Sequence, residues 1–244
     1  MLVKPPDDRK PQLVPAEGVK FDKDALYYDM SGEKYLIILN QHAFKKTIYF
    51  KNQQPSTRNG TDNDVKSLKK VFGNLGFKGD NIIEFRNLEY EGIIKNLTAI
   101  ATQDHSKTSC ICVTILTYGD SGGEPKLFFV QACRGGNMDA GNTVSLDSHS
   151  DSVLTVPTHA DFLVLCSTVE DHLSYRDMNG SWMIQALCHI IQHNYEELDL
   201  LHMITLMNRL VAYEKSTYTP SNKAMMNKKR MPETRFTLTK LLKF

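Results

Sequence analysis

Cys133 is the residue best placed to do chemistry. It ends the apolar run Lys126-Leu127-Phe128-Phe129-Val130-Gln131-Ala132 and is followed by Arg134-Gly135-Gly136. Such a run reads as a buried strand, and the glycines after it allow a sharp turn and a close backbone approach to a ligand. A thiol delivered to that turn is positioned as a nucleophile, which needs its thiolate form and an acid to protonate the leaving group. The opposing reading is a buried structural cysteine, and for an isolated cysteine it is the commoner one. The five cysteines make no convincing metal-ligand spacing with His105, His149 or His159, so neither a metal nor another cofactor is expected.

The elements that must carry this thiol follow from apolar periodicity. Tyr35-Leu36-Ile37-Ile38-Leu39 reads as a strand buried on both faces, with further strands at residues 81–85, 110–116, 126–130 and 161–166. Thr61-Asp62 start a helix whose Val65, Leu68, Phe72 and Leu75 share one face, and Gly76 stops it. Tyr90, Ile93, Ile94, Leu97 and Ala101 predict a second helix. Ser181 caps a third, through Trp182, Ile184, Leu187, Ile190 and Ile191. A fourth runs over residues 200–211 with Met203, Ile204, Met207 and Leu210 inward. Strands alternating with helices of this length predict an α/β fold with a mainly parallel sheet. Residues 137–157 turn to Gly, Ser, Asp, Asn and Thr and predict a long exposed loop. Residues 213–232, with the Lys228-Lys229-Arg230 run, predict a solvated segment, and the alternation from Phe236 predicts a closing strand.

A net charge of +1 gives no electrostatic case for nucleic acid or a membrane surface, and no apolar run approaches the roughly 20 residues of a membrane span. The first residues, Met1-Leu2-Val3-Lys4-Pro5-Pro6, lack the apolar region of a signal peptide, and five cysteines without framework spacing suit reduced thiols. The expected compartment is the cytoplasm.

Several motifs, in order, resemble one family. Gln131-Ala132-Cys133-Arg134-Gly135 matches the Q-A-C-[RQG]-G signature of the caspases. Arg58-Asn59-Gly60-Thr61-Asp62-Asn63-Asp64 resembles that family's R-x-G-T-x-x-D, and Ala160-Asp161-Phe162-Leu163-Val164 with Ser167-Thr168-Val169 resembles the opening of its small subunit. Ser174-Tyr175-Arg176 and Gly180-Ser181-Trp182-Met183-Ile184-Gln185 resemble its substrate-binding loop and following helix, and Met231-Pro232 with Leu238-Thr239-Lys240 its terminal strand region. The chain is similar to insect effector caspases. The resemblance implies a three-layer sandwich with a central, mostly parallel sheet and helices on both faces. It divides the chain into a leader at 1–26, a large-subunit region at 27–136, a linker at 137–157 and a small-subunit region at 158–244.

Two departures bear on activity. The family's base histidine lies about 50 residues upstream of the cysteine, but His105 and His42 are at the wrong distance. Where the family has His-Gly, this chain has Tyr118-Gly119, and only Asp120-Ser121-Gly122-Gly123-Glu124 separate Gly119 from Pro125. A block of the family's connection, including a helix, is missing. A phenol with pKa about 10 is a poor base for a thiol of about 8.5. The loop residue His172 is no better candidate.

By resemblance, Cys133 holds the nucleophile position, Tyr118 the base position and Gly119 an oxyanion-hole position. Arg58, Gln131 and Arg176 hold the aspartate-binding positions, where two guanidiniums clamp one carboxylate. Ser174 and Tyr175 line the same groove, with Tyr175 either an apolar wall or plain packing. Asp139, Asp147 and Asp151 are candidate processing sites in the linker. The implied role is a catalytically impaired, decoy-type caspase that dimerises with an active relative and regulates its maturation in apoptosis. The alternatives are an endopeptidase cutting after aspartate with a non-standard base, and a non-catalytic binder of aspartate-bearing segments.

Overall fold

A computed structural model describes residues 22, 24–46, 52–118, 142–145, 153–169, 174–218 and 226–244. The strand expected at 126–130 lies outside them. Around β1 (Glu33–Asn40) the neighbours are β2 (Ile82–Arg86) and β3 (Thr108–Leu116), in the order β2-β1-β3, with both pairings parallel. The helices between them are α1 (Thr61–Asn74), before β2, and α2 (Tyr90–Ala101), before β3.

The alternation of β1 side chains sets the layers. Leu36 and Ile38 face Leu68, Val71 and Phe72 of α1, in one cluster with Ile184, Leu187 and Ile191 of α3 (Trp182–Asn194). The same cluster takes in Met203, Ile204, Met207 and Val211 of α4 (Leu200–Glu214). Ile37 and Leu39 face the other way, onto Ile93, Leu97 and Ile100 of α2. Helices therefore cover both faces of a parallel sheet, as expected. The face of α2 is rotated from the expected one: Ile100 is buried, while Tyr90 is 67% exposed and Ala101 lies in solvent. Tyr90 opens the helix, before its inward face has met the sheet.

Gly76 ends α1 at φ +84°, a left-handed position that glycine adopts without penalty. Ser181 caps α3 by accepting the Ile184 N–H, and Asp199 caps α4 by accepting from Leu201 and His202.

Three expectations are corrected. The 137–157 segment is not all loop: β4 (Asn142–Ser145) and β5 (Val153–Val156) pair antiparallel. Their Thr and Val are strand formers that the surrounding Gly, Ser and Asp mask in a composition average. The closing strand β9 is Glu233–Phe236, ahead of the predicted alternation, and pairs antiparallel with β6 (Leu163–Cys166). Arg230 is not solvated but 7% exposed, its guanidinium 4.3 Å from the Tyr175 ring. Stacking on an aromatic face lets a weakly hydrated guanidinium go where the neighbouring lysines do not.

Candidate functional site

The carboxyl ends of β1 and β3 meet at the Asn40–Leu116 pair, and the site is built there, where parallel sheets place their ligand crevices. Asn40, fully buried, accepts from the Thr61 hydroxyl at 3.0 Å and donates to Glu84 at 3.1 Å. This ties the start of α1 to the strand ends. Gln41 continues the register by donating its N–H to the Leu116 carbonyl.

Arg58 is inserted into this junction and is 4% exposed. Its Nη1 donates to the Leu116 carbonyl at 2.7 Å, and to the Gln41 carbonyl and the Thr61 hydroxyl at 3.1 Å each. Its Nε has no hydrogen-bond partner among the described residues. Burial, joined by the like charge of Arg176, lowers its pKa to about 10, against the pull of Asp64 and Tyr118.

Arg176 comes from the hairpin of β7 (Arg176–Asp177) and β8 (Gly180–Ser181) and reaches the same place from the other side. Its Nε donates to the Asn59 carbonyl at 2.8 Å and its Nη2 to the Tyr118 hydroxyl at 3.5 Å. The hairpin is stitched to the first turn of α1. Asn63 Nδ2 donates to the Met178 carbonyl at 2.8 Å, and the Ser181 N–H donates to both Asp64 oxygens. A Cβ on Gly60 would stand 2.3 Å from the Asp177 carbonyl oxygen, and Gly60 has φ +88°. Only glycine fits this approach.

Asp64 lies at the centre of the stitch, 1% exposed. Burial pushes its carboxyl up to about 7, while the Ser181 hydrogen bonds and the Arg58 and Arg176 charges pull the other way. In the sequence Asp64 is only the end of a motif. Its spacing to Arg58 was visible there, but its burial was not.

Tyr118, after the end of β3, faces both cations. Its ring centroid is 5.7 Å from the Arg58 guanidinium carbon and 5.5 Å from that of Arg176. Its hydroxyl donates to the Ser56 carbonyl at 3.1 Å and is 2.9 Å from the Ser56 hydroxyl, and its ring packs on Phe44. Burial raises the phenol pKa, but the bonds from Ser56 and Arg176 and the charges of both arginines outweigh it, leaving the group below the ordinary phenol range. His42, whose carbonyl accepts the Arg58 N–H, turns its Nε2 to Asp62 at 3.9 Å. Ser174 is exposed beside Arg176, and Tyr175 packs its ring between Trp182, 5.2 Å away, and Arg230.

A sequence model of the caspase domain matches residues 33–124 and 122–243. The chain belongs to the caspase family. Caspase-1 of Spodoptera frugiperda is 32% identical, over 91% of this chain and 83% of its own length. Caspase-3 of Bos taurus is 31% identical, over 85% and 83%. The crystal structure of Spodoptera frugiperda caspase-1 matches the fold with a TM-score of 0.72, covering 91% of this chain and 94% of that one.

Within this caspase fold, Arg58, Tyr118 and Arg176 converge as one cluster, with Ser174 and Tyr175 alongside. Cys133, Gly119, Gln131, Asp139, Asp147, Asp151 and His172 lie outside the described residues. Ser56, Asp64 and Arg230 are the members of the site region to which the sequence assigned no role. The described thiols of the caspase domain suit a structural part: burial raises Cys110 to about 11 and Cys112 and Cys188 to about 12. No helix among the described residues is long and apolar enough to cross a membrane.

Proposed function

We propose that this caspase is a catalytically impaired, decoy-type member that dimerises with an active caspase in the cytoplasm and regulates its maturation or activity in apoptosis. The observation that carries this reading is Tyr118, at the position of the base, with its hydroxyl bonded to Ser56 and its ring against two guanidiniums. A phenol is neutral at pH 7 and cannot keep Cys133 ionised as a histidine does. General acid–base assistance contributes about 10²–10⁴-fold, so its loss removes useful turnover. The fold and the buried junction are otherwise retained, and β9, with its exposed Phe236, offers an edge of the kind that pairs across a two-fold axis.

The test is a fluorogenic peptide ending in aspartate. It is incubated with the chain alone, with a Tyr118→His variant, and with an active caspase in the presence and absence of the chain. Silence from the chain alone and a changed rate in the mixture are expected, and the direction of change gives the sign of regulation. Turnover by the unmodified chain that vanishes in Cys133→Ala sinks the reading and returns an endopeptidase with a non-standard base.

A second reading, a non-catalytic binder of aspartate-bearing segments, is favoured by the converging arginines. It predicts binding without cleavage, lost in Arg58→Ala or Arg176→Ala.

A further inference from the structure

Tyr118 makes contacts that a proton acceptor for a thiol has no need of. Its hydroxyl lies 3.5 Å from Arg176 Nη2, and its ring lies 5.5 and 5.7 Å from the two guanidinium carbons, within cation–π range of both. Phe44, with ring centroids 5.3 Å apart, and the two polar atoms of Ser56 hold it there. The other group that draws on both charges, the Asp64 carboxylate, has both oxygens engaged by the Ser181 N–H. Two like charges thus share the π face of one side chain, whose hydroxyl also meets Arg176.

The arginines also retain unused capacity. Arg58 is locked by three acceptors on Nη1, yet its buried Nε–H has no acceptor among the described residues. A buried donor without a partner is costly, and a carboxylate is the ligand that matches a guanidinium fork. The phenol can offer one weak acceptor and a π face in place of the two oxygens a carboxylate presents.

We propose that Tyr118 is the resident ligand of the Arg58–Arg176 pair, competing with an incoming acidic side chain and thereby setting the affinity of the pocket. This rests on the reading of these arginines as an acidic-side-chain pocket. The substitution at the base position then has two consequences. It removes the proton acceptor, and it raises the threshold for capture of an acidic segment. Segments that bind do so by swinging the phenol off the cations. Arg58, held by the backbone, stays in place, and Arg176, whose only acceptors among the described residues are Asn59 and Tyr118, adapts.

The experiment is fluorescence polarisation of a fluorescein-labelled pentapeptide ending in aspartate, with its asparagine-ending twin as control. The proteins are the full chain and its Tyr118→Phe, Tyr118→Ala, Arg176→Ala and Tyr118→Ala/Arg176→Ala variants. Tyr118→Ala is expected to bind the aspartate peptide about tenfold more tightly than the unmodified chain, the size of two partly exposed cation–π contacts. Tyr118→Phe, which keeps the ring and the fold, is expected to gain a smaller factor. Both gains must vanish with the asparagine peptide, and that of Tyr118→Ala must vanish in the double variant. If Arg176→Ala weakens binding but neither Tyr118 variant strengthens it, the pocket is real and the competition is refuted. If no protein prefers aspartate to asparagine, the pocket reading fails and takes this proposal with it.

Discussion

The carboxylate of Asp64 accepts the backbone N–H of Ser181 through both oxygens, at 2.8 and 3.0 Å. Asp64 belongs to the first turn of α1 and Ser181 to the hairpin that carries Arg176, so this contact joins the two parts of the chain that each supply one arginine. The bond is partly buried, and the positions of both cations depend on it. A carboxylate outside the proposed pocket therefore sets the spacing of its two arginines.

Gly180→Ala tests the tightness of that joint. A Cβ there would stand 2.2 Å from Asp64 Oδ1, at φ +122°. The backbone alone costs about 1–3 kcal/mol for a residue with a side chain, and the carboxylate it would strike is buried and bonded to Ser181. A denaturant midpoint well below that of the unmodified chain, at unchanged slope, is expected. An unchanged midpoint would mean that the hairpin moves freely against α1.

Asp64 gives the pH dependence. Its pKa is about 7 in the folded protein and an ordinary carboxylate value when unfolded. Between those values the folded state binds the extra proton, so the contribution of this group to stability rises as pH falls from about 7 and is lost as pH rises through it. Asp64→Asn keeps an acceptor for Ser181 and abolishes the titration. The melting temperature of the unmodified chain, minus that of Asp64→Asn, should grow as pH is lowered from 7.5 to 5, and a constant difference contradicts the assignment.

The thiols separate by reactivity. Cys188 is buried and raised to about 12, so iodoacetamide should modify it only after unfolding, while half-buried Cys110 and Cys112, raised to about 11 and 12, should react slowly in the folded chain. Under the proposed function Cys133 should react at a rate that climbs from pH 7 to 9, as an unassisted thiol of about 8.5 does. Tyr118→His should shift that profile to lower pH. Peptide mapping of the alkylated cysteines reads both, and fast labelling of Cys133 at pH 6 would reveal another activating group.

Met207→Ala removes a side chain that is 0% exposed, in the cluster that packs α4 on α1, α3 and the sheet. Loss of about 2–5 kcal/mol is expected from urea unfolding. A smaller loss would show that the long Met and Leu side chains around it collapse into the space.

Much of the framework could be read from local pattern. Leu36 and Ile38 alternate with Ile37 and Leu39, and Val65, Leu68, Phe72 and Leu75 repeat at helical spacing, because burial on a sheet or helix face follows the geometry of the element itself. The start of α2 deviated, since Tyr90 shares the periodicity but not the neighbour, and β4 and β5 were hidden by the polar residues around them. Arg230 looked like part of a solvated basic run, and only the proximity of Tyr175 makes its burial possible.

The sequence by itself determined the α/β order and the caspase motifs, and through them pointed to Cys133 as the nucleophile and to Tyr118 in place of the base histidine. Each of these is a matter of residue type and local spacing. The tertiary structure alone decided that Tyr118 lies against Arg58 and Arg176, that Asp64 is buried within reach of both charges, and that Arg58 Nε–H has no partner among the described residues. The physical reason is that charge proximity and desolvation belong to groups brought together from distant parts of the chain, and no local periodicity encodes those distances.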